Sequence, residues 1–157
     1  MDLTSSAADR APGETAVAVV ARHQTLGEEI ANAISHGLGA LLAIASLPIL
    51  VYYAAQHGSA VNVVAASVFA GTMILLYLVS ALYHALPPGR AKHWFNRFDH
   101  AAIYVFIAGS YTPFTLGVLR GGWGWSLFGV VWGAAAFGVA VKLLNRLKHP
   151  LVSTGLY

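Results

Sequence analysis

The sequence lacks charge over a long central stretch. From Ile30 to Gly89 there is no Asp, Glu, Lys or Arg, and only 10% of the 157 residues are charged. An ordinary soluble domain carries about 25% charged residues. Hydrophobic residues make up 57% of the chain. This composition indicates an integral membrane protein.

Cysteine is absent, and basic residues are few. The lack of cysteine excludes disulfides and thiolate zinc sites, so a bound metal would need histidine or carboxylate ligands. The net charge is +3, and the basic residues lie in short loops between apolar segments. That pattern excludes the basic surface that nucleic-acid binding requires.

The chain divides into a polar leader and a hydrophobic domain. Residues 1–29 carry acidic side chains and no long apolar run, which predicts a partly disordered cytoplasmic leader rather than a signal peptide. Residues 30–157 form the transmembrane domain, because four segments can each cross about 30 Å of hydrocarbon. The predicted spans are about Asn32–Ala55, Val61–Ala85, Phe98–Leu119 and Trp123–Val141. A fifth begins at Pro150 and is cut off at Tyr157, so we interpret the domain as truncated.

The basic residues of the loops predict the orientation. Eight Lys and Arg residues fall on one side of the predicted spans, and Arg120 alone falls on the other. Cytoplasmic loops carry the excess of basic residues. The N-terminus is therefore predicted to be cytoplasmic, together with the loops at Leu86–Arg97 and Lys142–His149.

Gly129 and Gly133 form a GxxxG pattern in the fourth span. Such patterns allow close helix contacts, but glycine is also common in membrane helices generally. The pattern alone does not decide between these two interpretations.

Polar residues cluster near the predicted cytoplasmic ends of three spans. Ser80 and His84 are four residues apart, so they share a face at the end of the second span. Asp99 and His100 lie at the start of the third span, and His36 lies near the start of the first. The short second-to-third connection predicts that these groups converge at one depth of the bundle.

These residue types have two interpretations. A neutral imidazole is a good zinc ligand, a carboxylate can act as a general base, and a serine hydroxyl can donate to a reacting carbonyl. Ionisable residues at membrane depth are therefore functional candidates. A histidine at a span end can equally be a satisfied interfacial residue, and Asp99 can be an N-cap of the third span.

Four motifs resemble those of the hemolysin III family, the bacterial relatives of the adiponectin and progestin receptors. The match runs in order from about Glu28 to Tyr157. Its motifs are E-I-A-N-A-I-S-H-G from Glu29, S-A-L-Y-H from Ser80, F-D-H-A-A-I-Y from Phe98 and I-A-G-S-Y-T-P-F from Ile107.

The resemblance implies an all-α, seven-helix membrane bundle of which about four to five helices are present here. It implies a multi-pass protein of the bacterial inner membrane, with a cytoplasmic N-terminus and zinc bound near the cytoplasmic side. His84 corresponds to a zinc ligand, and Ser80 and Asp99 correspond to residues that act around the metal's water. The family's other two ligands form an H-x-x-x-H motif on the seventh helix, for which this sequence has no counterpart.

Three functions follow as expectations. The zinc site resembles that of lipid amide hydrolases and of the receptor relatives, with a lipid as substrate or ligand. The family name implies pore formation and cytolysis as an alternative, and an inactive truncated product is a second alternative. A pore former should carry polar residues along several spans, whereas here they cluster at one depth, which favours the hydrolase or receptor. The oligomeric state stays open.

Overall fold

The computed structural model describes residues 24–144. They form the helices α1 (Leu26–His57), α2 (Ala60–Ala85), α3 (Arg90–Thr112) and α4 (Gly121–Leu143), and a π-helical segment, Pro113–Leu119, continues α3. Helices α1, α2 and α4, and α3 together with this segment, are each long and apolar enough to cross a membrane. This confirms the all-α membrane bundle predicted from the sequence. The predicted fifth span lies outside the described residues, as does most of the leader.

Two helices begin with side-chain caps that the sequence encodes. Thr25 donates its backbone N–H to Glu28 Oε2 at 2.7 Å, and its hydroxyl accepts from the Glu28 N–H at 3.3 Å. At the start of α2, Asn62 Oδ1 accepts the backbone N–H of Ser59 at 3.0 Å. These bonds, reciprocal at Thr25 and one-way at Ser59, satisfy backbone N–H groups at the two helix starts. The caps therefore fix where α1 and α2 start.

The connection between α2 and α3 is shorter than predicted. Helix α2 ends at Ala85, before Leu86 and two prolines, because the residue preceding a proline disfavours the helical conformation. Helix α3 begins at Arg90 rather than at Phe98. The polar residues up to Arg97 are thus helical, and the loop predicted over Leu86–Arg97 shrinks to a tight turn.

The described helices pack in chain order as an open row. Helix α1 packs along α2, α2 along α3, and α3 along α4, while the π-helical segment contacts α2 and α4. Many of the large apolar side chains are exposed, such as Leu41, Ile49 and Val130, as expected for surfaces that face lipid or further helices. Consecutive helices run in opposite directions, so α1 and α3 start at the same membrane face where α2 ends.

At each contact between consecutive helices, one glycine lies where the two helices approach each other closely. A Cβ on Gly39 would meet the Tyr77 ring, one on Gly109 would meet the Thr72 side chain, and one on Gly138 would meet the Tyr104 ring. Small residues let helix backbones approach closely in membranes. By contrast, a Cβ on Gly129 or Gly133 would meet open space within the described part of the chain. Of the two interpretations of the GxxxG pattern, the close helix contact is therefore not made between the described helices.

Candidate functional site

Five polar residues meet where α1 and α3 start and α2 ends. We call them the polar cluster, and they are Glu29, His36, Ser80, His84 and Lys92. Helix α1 has 32 residues, which is about 48 Å and longer than the hydrocarbon core of a bilayer. At least one end of α1 therefore extends beyond the hydrocarbon core, and the first turn, which carries Glu28 and Glu29, is the end better suited to the headgroup level.

Glu29 joins three helices. Its Oε2 lies 2.7 Å from His84 Nδ1 on α2, and its Oε1 lies 3.0 Å from Lys92 Nζ on α3. The His84 side chain is 8% exposed, and those of Glu29 and Lys92 are each 17% exposed. Ionic groups so withdrawn from solvent require partners, and each of these has one. The arrangement holds the His84 ring in the interior, away from lipid.

Lys92 also closes the end of α2. Its Nζ donates to the Tyr83 carbonyl at 3.2 Å and to the Leu86 carbonyl at 3.1 Å, in addition to Glu29. It also lies 4.9 Å from the centre of the Tyr83 ring. A helix end leaves carbonyls unpaired, and a cation there also suits the helix dipole. Lys92 therefore ties the end of α2 to the starts of α1 and α3.

His36 and Ser80 form the second pair of the cluster. His36 Nδ1 lies 2.6 Å from Ser80 Oγ, and Ser80 is 5% exposed. The rings of His36 and His84 lie edge to face with their centres 5.5 Å apart, so the two pairs are adjacent. The structure thus brings Ser80 and His84 together on one face of α2 and gives each a partner from α1.

Asp99 lies deeper along α3. It follows Lys92 by seven residues, as His36 follows Glu29, and seven residues are about two turns and about 10 Å on one helix face. This spacing places Asp99 at about the depth of His36. The carboxylate is partly buried, and no described residue donates a hydrogen bond to it. Its catalytic role therefore stays a prediction.

The structure tests the purely structural interpretations of Asp99 and His100. The interpretation of Asp99 as a helix N-cap is wrong, because α3 begins nine residues earlier, at Arg90. His100 donates from Nδ1 to the Asn96 carbonyl at 2.7 Å, one turn back on its own helix. Its Nδ1 is satisfied on its own helix, and within residues 24–144 no other residue hydrogen-bonds to the ring.

The described residues do not by themselves make a complete zinc site. Residues 24–144 contain no group of three or more His, Asp or Glu side chains arranged to hold a metal. A catalytic zinc uses about three protein ligands. The Nε2 atoms of His36 and His84 have no partner within this part of the chain, so both are open to a ligand.

Away from the cluster, buried hydroxyls are satisfied within their own helices. Thr72 donates to the Phe69 carbonyl, Thr112 to Ala108, and Thr115 to Thr112, at 2.8 to 3.1 Å. Because these hydroxyls bond to their own backbone, they do not form a polar path along the described helices.

Sequence reasoning gave Glu29 and Lys92 no part in the site. In the structure Glu29 contacts His84, and Lys92 contacts Glu29. One pattern could have identified them. Glu29 is the last charged residue before the uncharged stretch, and it lies two turns before His36. Lys92 lies two turns before Asp99. This repeated spacing puts one charged residue of α1 and one of α3 at the same depth.

Comparison with known proteins agrees with the architecture. The profile of the family described as haemolysin-III related matches residues 24–157. The chain is 45% identical over 133 residues to a protein of Bacillus subtilis (strain 168) named "Hemolysin-3 homolog". It is 48% identical over 134 residues to "Hemolysin-3" of Bacillus cereus. No solved structure matches the chain.

Each alignment includes 85% of this chain, and it covers 62% of the Bacillus subtilis protein and 61% of the Bacillus cereus protein. The chain thus spans about three fifths of the length of these relatives. The family match covers most of the chain and includes every residue of the polar cluster. The chain belongs to the haemolysin III family.

Proposed function

We propose that the polar cluster and Asp99 form part of a site that binds a lipid amide at the cytoplasmic face of the bacterial inner membrane and hydrolyses it. The observation that carries the proposal is the pairing of both candidate residues of α2 with partners from another helix. Ser80 is paired with His36, and His84 is paired with Glu29. Functional groups must be held in a fixed geometry to be useful in catalysis.

The chemistry would use residues of the described chain in three roles. The Ser80 hydroxyl would donate a hydrogen bond to the carbonyl oxygen of the amide, where negative charge develops. Asp99 would accept a proton from the attacking water and pass it to the leaving amine. Water adds to the carbonyl carbon, the C–N bond breaks, and a carboxylate and an amine are formed. His84 would hold its Nε2 lone pair toward the reacting groups.

A lipid is the substrate class that suits this position. The cluster lies near the ends of three helices that can cross a membrane. We take this position to be at about the depth where the polar and apolar parts of a lipid meet. An amide that joins a fatty acyl chain to a polar base places its carbonyl at that level. A receptor role would use the same recognition without turnover.

Zinc has a limited place in this proposal. Within the described chain His84 offers one oriented ligand, and the metal-site requirement of about three ligands is not met. We therefore propose that the chain alone binds zinc weakly, and we assign no catalytic step to the metal.

Reconstituted vesicles test hydrolysis against pore formation in one experiment. Vesicles that hold the purified chain, a fluorescent ceramide analogue and an entrapped dye are expected to convert the analogue to sphingoid base and fatty acid while retaining the dye. Ser80→Ala is expected to lower turnover about 100-fold, since it removes the carbonyl donor. Ser67→Ala is the matched control, because the Ser67 hydroxyl donates to the Val63 carbonyl of the same helix.

The same vesicle assay can also contradict the proposal. Dye release without ceramide turnover would support the pore-forming alternative and overturn the hydrolase. Saturable binding of the analogue without turnover would support the receptor role instead. Equal turnover by the wild type and Ser80→Ala would remove Ser80 from the mechanism.

The proposed orientation has its own test. Cysteines introduced singly at Gly89 and Ser59 should react differently with a membrane-impermeant thiol reagent, because these positions lie at opposite ends of α2. On intact cells we expect labelling at Ser59 and protection at Gly89, which becomes reactive after lysis. The reverse pattern would place the polar cluster on the outer face.

A further inference from the structure

We propose that Glu29 and Lys92 are positioning residues that fix His84 in a single tautomer, with hydrogen on Nδ1 and the lone pair on Nε2. The inference deepens the proposed function and rests on it for its biological purpose. It stands on geometry that involves three helices: Glu29 on α1, His84 on α2 and Lys92 on α3.

Each of the three hydrogens on the Lys92 ammonium group has an acceptor within reach. An ammonium group has three hydrogens and no lone pair. The three acceptors within reach are the Tyr83 and Leu86 carbonyls and Glu29 Oε1, at 3.0 to 3.2 Å. Lys92 can therefore face Glu29 only as a donor, and the two carbonyls prevent it from turning away.

This arrangement determines what Glu29 presents to His84. One carboxylate oxygen accepts from Lys92, and the other lies 2.7 Å from His84 Nδ1. A carboxylate can only accept, so the hydrogen in this contact belongs to Nδ1. Because Lys92 already balances the charge of Glu29, the imidazole can make this bond in its neutral form.

The consequence lies at the other ring nitrogen. A neutral imidazole with hydrogen on Nδ1 has a lone pair on Nε2, which can bind a metal or accept a hydrogen bond. Carboxylates that orient histidines in this way are common behind metal-binding imidazoles. In residues 24–144 no side chain hydrogen-bonds to His84 Nε2, so its lone pair is available to a ligand.

Glu29→Gln separates positioning from a merely structural contact. A glutamine side chain has one carbonyl oxygen and one amide NH₂ group. Lys92 can only donate, so the oxygen is expected to turn toward Lys92 and the NH₂ group toward His84. His84 Nδ1 must then accept, and the hydrogen moves to Nε2. The substitution is close in size and should invert the tautomer without removing the contact.

A second substitution should remove that control of the tautomer. In Glu29→Gln combined with Lys92→Met, no ammonium group holds the amide oxygen, so the amide can present either group to His84. We expect nitrogen-15 NMR of labelled histidine to show hydrogen on Nδ1 in the wild type, on Nε2 in Glu29→Gln, and a mixture of both tautomers in the double variant. The His84 signal is assigned by its loss in His84→Gln.

The matched control is Glu28→Gln. Glu28 also lies in the first turn of α1, but its carboxylate faces Thr25 rather than His84. The His84 tautomer should be unchanged in this variant. If Glu29→Gln does not fold, Lys92→Met alone still tests the part played by Glu29: the carboxylate remains and can only accept, so the hydrogen should stay on Nδ1.

Three results would overturn the proposal. They are hydrogen on Nε2 of wild-type His84, an unchanged tautomer in Glu29→Gln, and movement of the hydrogen to Nε2 in Lys92→Met. Because the NMR readout needs no substrate, it is independent of the proposed hydrolysis. Absence of turnover with the expected NMR pattern would refute the hydrolase and leave the positioning role intact.

Discussion

His84→Ala is expected to lower ceramide turnover by about 100-fold, the loss that misplacing reacting groups can cause, because His84 Nε2 is proposed to face those groups. The substitution removes one of the two free Nε2 atoms of the polar cluster, but it leaves Glu29 paired with Lys92, so the contact between α1 and α3 survives. Zinc titration followed by elemental analysis should show weak binding by the wild type and none by His84→Ala. Turnover is measured in the same vesicle assay.

The control for His84 is a histidine at the other membrane face. His57 lies at the end of α1, where its ring stacks on Tyr53 with the centres 4.3 Å apart. His57→Ala should leave both zinc binding and turnover unchanged. Tight one-to-one zinc binding by the wild type would contradict the weak-binding proposal, and wild-type turnover in His84→Ala would exclude His84 from the site.

Gly109→Ala is expected to destabilise the bundle by about 1 to 3 kcal/mol, the usual cost of forcing extra atoms into a packed contact. The added Cβ would overlap the Thr72 side chain across the contact between α2 and α3. Gly109 and Thr72 are both buried, so neither helix can yield without moving backbone. Loss of helical signal on heating in detergent measures the effect as a lower unfolding temperature.

Gly133→Ala is the paired control, because a Cβ there meets open space within the described residues. It should leave the unfolding temperature unchanged or raise it slightly, since alanine favours helix over glycine. Thr72→Ala combined with Gly109→Ala should recover part of the loss, because Thr72 Oγ1 and Cγ2 are two of the three nearest atoms. Equal effects of Gly109→Ala and Gly133→Ala would contradict the packing described for α2 and α3.

The helices were predictable from the sequence to different degrees. The absence of charge from Ile30 to Gly89 was enough to predict the first two membrane helices, and the pattern T-x-x-E at Thr25 encodes the α1 cap. The start of α3 was missed, because Arg90–Arg97 is too polar for a membrane span. Hydropathy indicates whether a segment prefers lipid or water. It does not indicate where a helix begins, because polar residues can form the same backbone hydrogen bonds of a helix.

The site was predictable only within one helix. The four-residue spacing of Ser80 and His84 fixed their shared face without reference to any other helix. Their partners Glu29 and His36 depend on how α1 is rotated and how far it slides along α2, and sequence spacing carries neither quantity. The same limit applies to the glycines: GxxxG identified Gly129 and Gly133, whereas Gly109 contacts another helix because Thr72 lies opposite.

Lys92 also bears on how the protein acquires its orientation. During insertion its charge adds to those of Arg90 and Arg97, the basic residues that direct this segment to the cytoplasm in the orientation proposed above. After folding, Glu29 neutralises that charge and two carbonyls enclose it. In that proposed orientation Lys92 would act first as a topogenic residue and then as a link between three helices, and in the folded chain it is no longer available to anionic lipid headgroups. Once α1 and α3 have docked, reversing the orientation would require this ion pair to break.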